Sequence, residues 1–239
     1  MSSTVLQIGN AAAQIVGLPR QATLVGNQNQ NAVKVLRALE NAKREVSRDF
    51  DWVALKREHT FATDGSSSYA VPNYFDRIIN GTLWDRTNYR PVIGPLSSTE
   101  WQKWESGTVS GTTYYKLLRI FSDSVGTKIL KIYPSSDSGS TIAFEYIDSR
   151  AVIDPGGTLK EDITDDGDTF VFDDEAVEMS TTWRLLRMLG LNYDDEQGEY
   201  MRLVGERKAN DGGAPVLNLS LDSIYMGFDP HLPDSGFGS

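Results

Sequence analysis

The chain has 239 residues, 39% hydrophobic and 10% aromatic, which is enough apolar material for a packed core and excludes a wholly disordered polymer. It has no cysteine and two histidines, His59 and His231, which excludes disulfide frameworks, thiol nucleophiles and cysteine- or histidine-rich metal sites. The formal charge of −10 is local: residues 161–178 carry nine acids and no base, whereas the first 60 residues hold eight bases against five acids, a polarity unlike the basic face of a general nucleic-acid binder.

Residues 3–17 are predicted as a helix. Ser2, Ser3 or Thr4 can cap it, Ile8, Ala11, Ala12 and Ile15 recur at helical spacing, and Gly17 and Pro19 stop it. A polar loop at 26–31 leads into a second helix, 29–52. Ala32, Val35, Leu36, Leu39, Ala42, Val46, Phe50 and Val53 fall on one side. Lys34, Arg37, Arg44 and Arg48 fall opposite, within a sector of roughly 80° at the helical period. From 57 to 172 the period becomes two. Strands are predicted at 57–63, 68–71, 80–84, 114–121, 128–133, 141–148 and 169–172, interrupted by one short helix, 98–105, capped by Ser97 or Ser98. Segments 128–133 and 141–144 are expected to form a hairpin.

Helical pattern returns at 176–191, with Asp173 or Asp174 as cap. Val177, Met179, Trp183, Leu185, Leu186, Met188 and Leu189 make it apolar on most sides, so a central position is expected. A last helix, 194–209, places Tyr193, Gln197, Tyr200, Met201, Val204 and Lys208 on one face. Gly212 to Pro215 breaks it. The remaining residues include Leu219, Leu221, Ile224, Tyr225, Phe228 and Phe237 and no base. They are read as an arm that orders on a partner, the alternative being a strap over the chain's own domain. The order helices, strands, helices gives an α+β fold: a helical bundle from 1–56 and 173–211, a β-rich inserted domain at 57–172, and an extended C-terminal arm at 212–239.

No stretch of 18 apolar residues exists, so no membrane contact by a spanning helix is expected, and no secretory signal is visible. A phosphate loop, a G-x-S-x-G elbow and an H-E-x-x-H helix are all missing. Nothing therefore nominates a catalytic residue, a metal site or a cofactor, and no enzyme is expected. The loop 162–173 partly fits a calcium loop, with Asp162, Thr164, Asp166 and Asp168 at alternate positions and Gly167 between them. Its plainer reading is a turn at Asp166-Gly167 with solvated or helix-capping acids. The basic stripe Lys34, Arg37, Arg44 and Arg48 reads as a solvated face with a Glu40–Arg44 pair, or as a surface facing a neighbouring subunit or the lumen of an assembly. His59 is expected at a surface or interface. Trp101 and Trp104 are expected to pack a small helix on a sheet, the alternative being a platform for a sugar or base.

Several strings are family-like. They are residues 4–19 (TVLQIGNAAAQIVGLP), 48–52 (RDFDW), 69–86 (YAVPNYFDRIINGTLWDR), 94–97 (GPLS), 183–187 (WRLLR) and 211–215 (DGGAP). Together they resemble the head-to-tail adaptor proteins of short-tailed bacteriophages, also labelled tail tubular protein A or tail accessory factor. The resemblance implies a virion protein of the tail and neck, assembled in the host cytoplasm as a ring of twelve beneath the portal protein. Such a ring extends the channel through which double-stranded DNA passes without sequence-specific binding. It gives the tail nozzle protein and tail fibres a docking surface, and its C-terminal extension reaches the portal. The competing reading is a carbohydrate-binding or fibre-type tail module using Trp84, Trp101 and Trp104.

Overall fold

A computed structural model describes residues 2–66, 68–106, 116–134 and 138–212. Helix α1 (Val5–Ile15) starts at a capping box in which the Thr4 hydroxyl accepts the Gln7 N–H and the Gln7 side chain accepts the Thr4 N–H. Asn29 caps α2 (Gln30–Asp49), whose Ala32, Val35, Ala38, Leu39, Ala42 and Val46 form one buried stripe. The two helices meet at Gly9. A Cβ there would lie 2.6 Å from a Leu24 methyl and 2.9 Å from a Leu39 methyl, so only glycine lets them approach this closely. A short 3₁₀ turn, Val53–Leu55, ends the first helical segment.

The strands follow: β1 (Lys56–Asp64), β2 (Ser68–Ala70), β3 (Phe75–Ile78), β4 (Trp84–Asp85) and β5 (Arg90–Pro91), then helix α3 (Ser98–Glu105). After it come β6 (Leu117–Ser122), β7 (Lys128–Tyr133), β8 (Ser138–Asp148), β9 (Val152–Ile153), β10 (Leu159–Lys160) and β11 (Thr169–Phe170). Helices α4 (Asp174–Leu189) and α5 (Asp194–Asn210) close the described fold. The architecture is α+β, and every pairing within the three sheets is antiparallel. In the largest sheet, β8 is flanked by β1 on one edge and by β3 and β4 on the other, with β5 beyond β4. A second sheet has the order β2-β7-β6 and a third β10-β9-β11.

Two expectations are corrected here. The 128–133 and 141–144 segments are not a hairpin: β7 pairs with β2 and β6, whereas β8 pairs with β1, β3 and β4 in another sheet. The segment 80–84 is not one strand: Asn80-Gly81 forms a turn, Gly81 has φ +81°, and strands β3 and β4 lie on either side.

The four long helices share one core with Leu55, Ile147, Ala151, Val152, Ile163, Phe170 and Phe172. A second core, built from Ile78, Leu83, Val92, Leu118, Leu130, Ile132, Ile142, Phe144 and Tyr146, fills the space between the two larger sheets. β8 thus feeds both cores. The apolar residues from 147 to 172 belong with the helices, although they lie inside the segment read as the β-rich insertion. Helix α4 touches α1, α2 and α5. Ser3 N–H donates to Asp174, which puts the N-termini of α1 and α4 together. Arg207 near the end of α5 reaches Asp173 and Glu175 at the start of α4, and Lys208 pairs with Asp49 at the end of α2. Helices α2 and α5 therefore both run antiparallel to α4. The α4–α5 corner is made by Gly190 at φ +73°, a left-handed cap that a Cβ would strain.

Candidate functional site

On α2 the apolar stripe turns to the core and leaves Arg37, Arg44 and Arg48 exposed, with Lys34 half-buried. Glu40 pairs with Arg37 at 3.2 Å, so the expected Glu40–Arg44 pair is not formed. Among the described residues no ion pair is made by Lys34, Arg44 or Arg48. A cavity of about 300 Å³ opens beside Arg44 and Arg48, lined also by Lys43, Asp76, Asp148, Glu161 and Asp162. Its acids are already engaged. Asp148, fully buried, takes Arg150 through Nη2 at 2.6 Å and Nε at 3.0 Å; Asp76 takes Arg77, Asp162 takes Lys43, and Glu161 accepts from Ser149. The two arginines remain the uncommitted charges at its mouth.

Lys43 was not singled out by sequence pattern, because it sits beside Ala42 on the buried side of α2. It is nonetheless buried and donates through Nζ to the Glu161 carbonyl, which ties α2 to the acidic loop.

That loop is structural. The Asp166 carboxylate accepts the N–H groups of Leu24 and Val25, each at 2.9 Å. The Asp168 carboxylate is completely buried, accepts the N–H groups of Thr164 and Asp165 at 2.9 Å, and pairs with Lys160 at 2.7 Å. The turn reading expected a solvated acid, but Asp168 is buried: one carboxylate oxygen accepts both backbone N–H groups and the other faces the Lys160 ammonium. The carbonyls of Asp168 and Asp166 also accept the Val5 and Leu6 N–H groups, closing the loop onto the start of α1. Among the described residues no cluster of three or more His, Asp or Glu is arranged to hold a metal ion.

Elsewhere, Trp101 is buried edge-on against Phe121, which fits a small helix packed on a sheet; Trp104 is 39% exposed. His59 is half-buried between the Phe61 and Phe144 rings, and that burial lowers its pKa. Asp85 and Lys116 form a buried pair at 2.8 Å inside the β part. Burial would raise the Asp85 pKa, but hydrogen bonds from Lys116 and Asn88 hold it below the ordinary value. The arm residues Leu219, Leu221, Ile224, Tyr225, Phe228 and Phe237 lie outside the described residues.

Residues 3–214 match the family model described as SU10 adaptor protein. The chain belongs to the SU10 adaptor protein family. No curated protein matches the chain. The family is one of phage adaptors, which are virion components, and the match ends three residues into the segment read as an arm. For an adaptor, the surfaces that matter are those that meet other chains. Arg44 and Arg48 of α2 are exposed and make no ion pair among the described residues. No described helix is long and apolar enough to cross a membrane.

Proposed function

We propose that the chain is the subunit of a head-to-tail adaptor ring, with twelve copies docking beneath the portal protein. The ring extends the DNA channel and attaches the tail nozzle protein, with tail fibres as further partners. The chain works by packing and charge, without catalysis of its own, in the neck of a virion assembled in the host cytoplasm. Double-stranded DNA passes without sequence-specific contact. The segment 212–239 is the arm that reaches the portal, through Leu219, Leu221, Ile224, Tyr225, Phe228 and Phe237.

The observation that carries the proposal is the adaptor-family match across 3–214. Two features support it. The helices and the outer sheets have separate cores joined through β8, so one part can line a ring while the other faces outward. Among the described residues Arg44 and Arg48 of α2 have no acid partner, as a surface awaiting another subunit requires.

The test is electron microscopy of the full chain mixed with the portal ring of the same phage. A twelvefold collar on one end of the portal is expected, and deletion of 213–239 should weaken docking. A chain that ignores the portal would overturn the adaptor assignment; a deletion variant that docks with full affinity would overturn the arm.

A further inference from the structure

Helix α5 carries two interior glycines, Gly198 and Gly205, seven residues apart and therefore on one face. A Cβ at either would meet nothing within 4 Å. Glycine is destabilising relative to alanine in a helix interior, and among the described residues no packing calls for either one. The same outer face carries Met201, 63% exposed. It also holds Asp194, Asp195, Glu199 and Glu206 against Arg202, whereas Arg207 and Lys208 are committed to Asp173, Glu175 and Asp49. Among the described residues this acidic helix surface has no partner, and another backbone can approach it closely. The outer face of α2 is its opposite in charge, with Lys34, Arg37, Arg44 and Arg48 against Glu40.

Both helices pack on α4 and lie beside each other, with Lys208 of α5 paired to Asp49 of α2. Ser180 and Arg184 of α4 meet Glu45 of α2, whereas Trp183 lies against Tyr193 at the start of α5. They also run in the same direction, with Lys208 level with Asp49. At the common helical rise of about 1.5 Å per residue, Asp194 and Asp195 are then level with the interval between Lys34 and Arg37, Glu199 lies about one turn from both Arg37 and Arg44, and Glu206 is level with the interval between Arg44 and Arg48. A rotation axis along the helices keeps those levels from one copy to the next.

We infer that the outer face of α5 docks against the outer face of α2 on the next copy of this chain. The contact is heterologous, the kind that closes a ring: glycines 198 and 205 admit the neighbouring helix, and the acids of one copy face the arginines of the other. It rests on the ring reading above and names its subunit contact.

The test uses two full-length double variants, Arg44→Glu/Arg48→Glu and Glu199→Lys/Glu206→Lys. None of the four residues supports the fold through a buried contact, so unchanged melting curves are expected. Each variant alone should lose collar formation on the portal by at least about tenfold, since like charges now face each other. Mixed in equal amounts, the two should recover it. Every contact in an alternating ring is then either native or reversed on both sides. Gly198→Leu should fold as well as the native chain and still fail to form collars. If the native chain forms collars and the mixture does not recover them, or if either variant alone forms them normally, the α5–α2 contact is wrong while the adaptor function stands. If the native chain forms no collar at all, both fall.

Discussion

Replacing Asp168 with alanine removes more than one bond. The carboxylate is fully buried, accepts two backbone N–H groups and balances Lys160. Each charge-assisted hydrogen bond contributes about 1.5–3 kcal/mol, and breaking a buried pair by deleting one partner costs about 3–5 kcal/mol. These are views of the same loss and do not add. Lys160 keeps 23% of its side chain exposed and can turn to water, which favours the lower end, about 3–4 kcal/mol. For a chain of this size that is a fall in melting temperature of roughly 6–16 °C. Asp168→Asn retains an oxygen for the backbone donors but not the charge, so about half the loss is expected. Thermal and urea unfolding followed by circular dichroism measure both. Hydrogen exchange should show α1 loosening first, because the Asp168 carbonyl accepts the Val5 N–H. Calcium should leave the native melting curve unmoved, since the carboxylates of Asp166 and Asp168 are occupied by backbone donors. A loss below about 1 kcal/mol for Asp168→Ala, or a calcium-dependent rise in the native melting temperature, would refute the structural role argued for this loop.

Gly9→Val should destabilise the chain by about 3 kcal/mol in urea titration, because its Cβ would press on the buried methyls of Leu24, Leu39 and Val35; an unchanged midpoint would show that α1 and α2 are farther apart than described. The Glu178 carboxyl is pushed above its ordinary value of 4.5 by burial and then by Glu175 and Asp174. Its folded pKa exceeds the unfolded one, so ionisation penalises the fold as pH rises through the folded value, and the penalty is absent below the unfolded value. Glu178→Gln should therefore raise the melting temperature at pH 7 and leave it unchanged near pH 3.5, and an equal gain at both pH values would contradict the assignment.

The long helices were legible because their signals are local. Thr4 with Gln7 and Ser97 with Glu100 close capping boxes, and the α2 stripe repeats at the helical period. Strand partners were not. Alternation marks β7 and β8 as strands, yet β8 finds β1, β3 and β4 many residues earlier in the chain, and only the pleat's two buried faces decide that. The split around Asn80-Gly81 had a signal, the dipeptide itself, which is a stronger turn marker than the flanking aromatics are strand markers. The basic stripe of α2 was readable from the sequence. The fates of Asp166, Asp168 and Lys43 were not, because a charge's partner here is a backbone group more than 100 residues away for Asp166 and Lys43, and no residue pattern encodes it.

The hydrogen bonds from Val5 and Leu6 to residues 168 and 166 also set an order of events in synthesis. Helix α1 is made well before the loop at 166–168 that receives its first N–H groups. Closing a loop of that length carries an entropic cost that rises with the logarithm of its size, and contacts so distant in sequence slow folding. A nascent chain can complete its sheets while α1 and α2 still wait. Only when α4 and α5 have followed does the helical layer lock, so the two charged faces reach their fixed spacing on finished chains alone. Partial products on a crowded polysome would then lack the geometry to join one another.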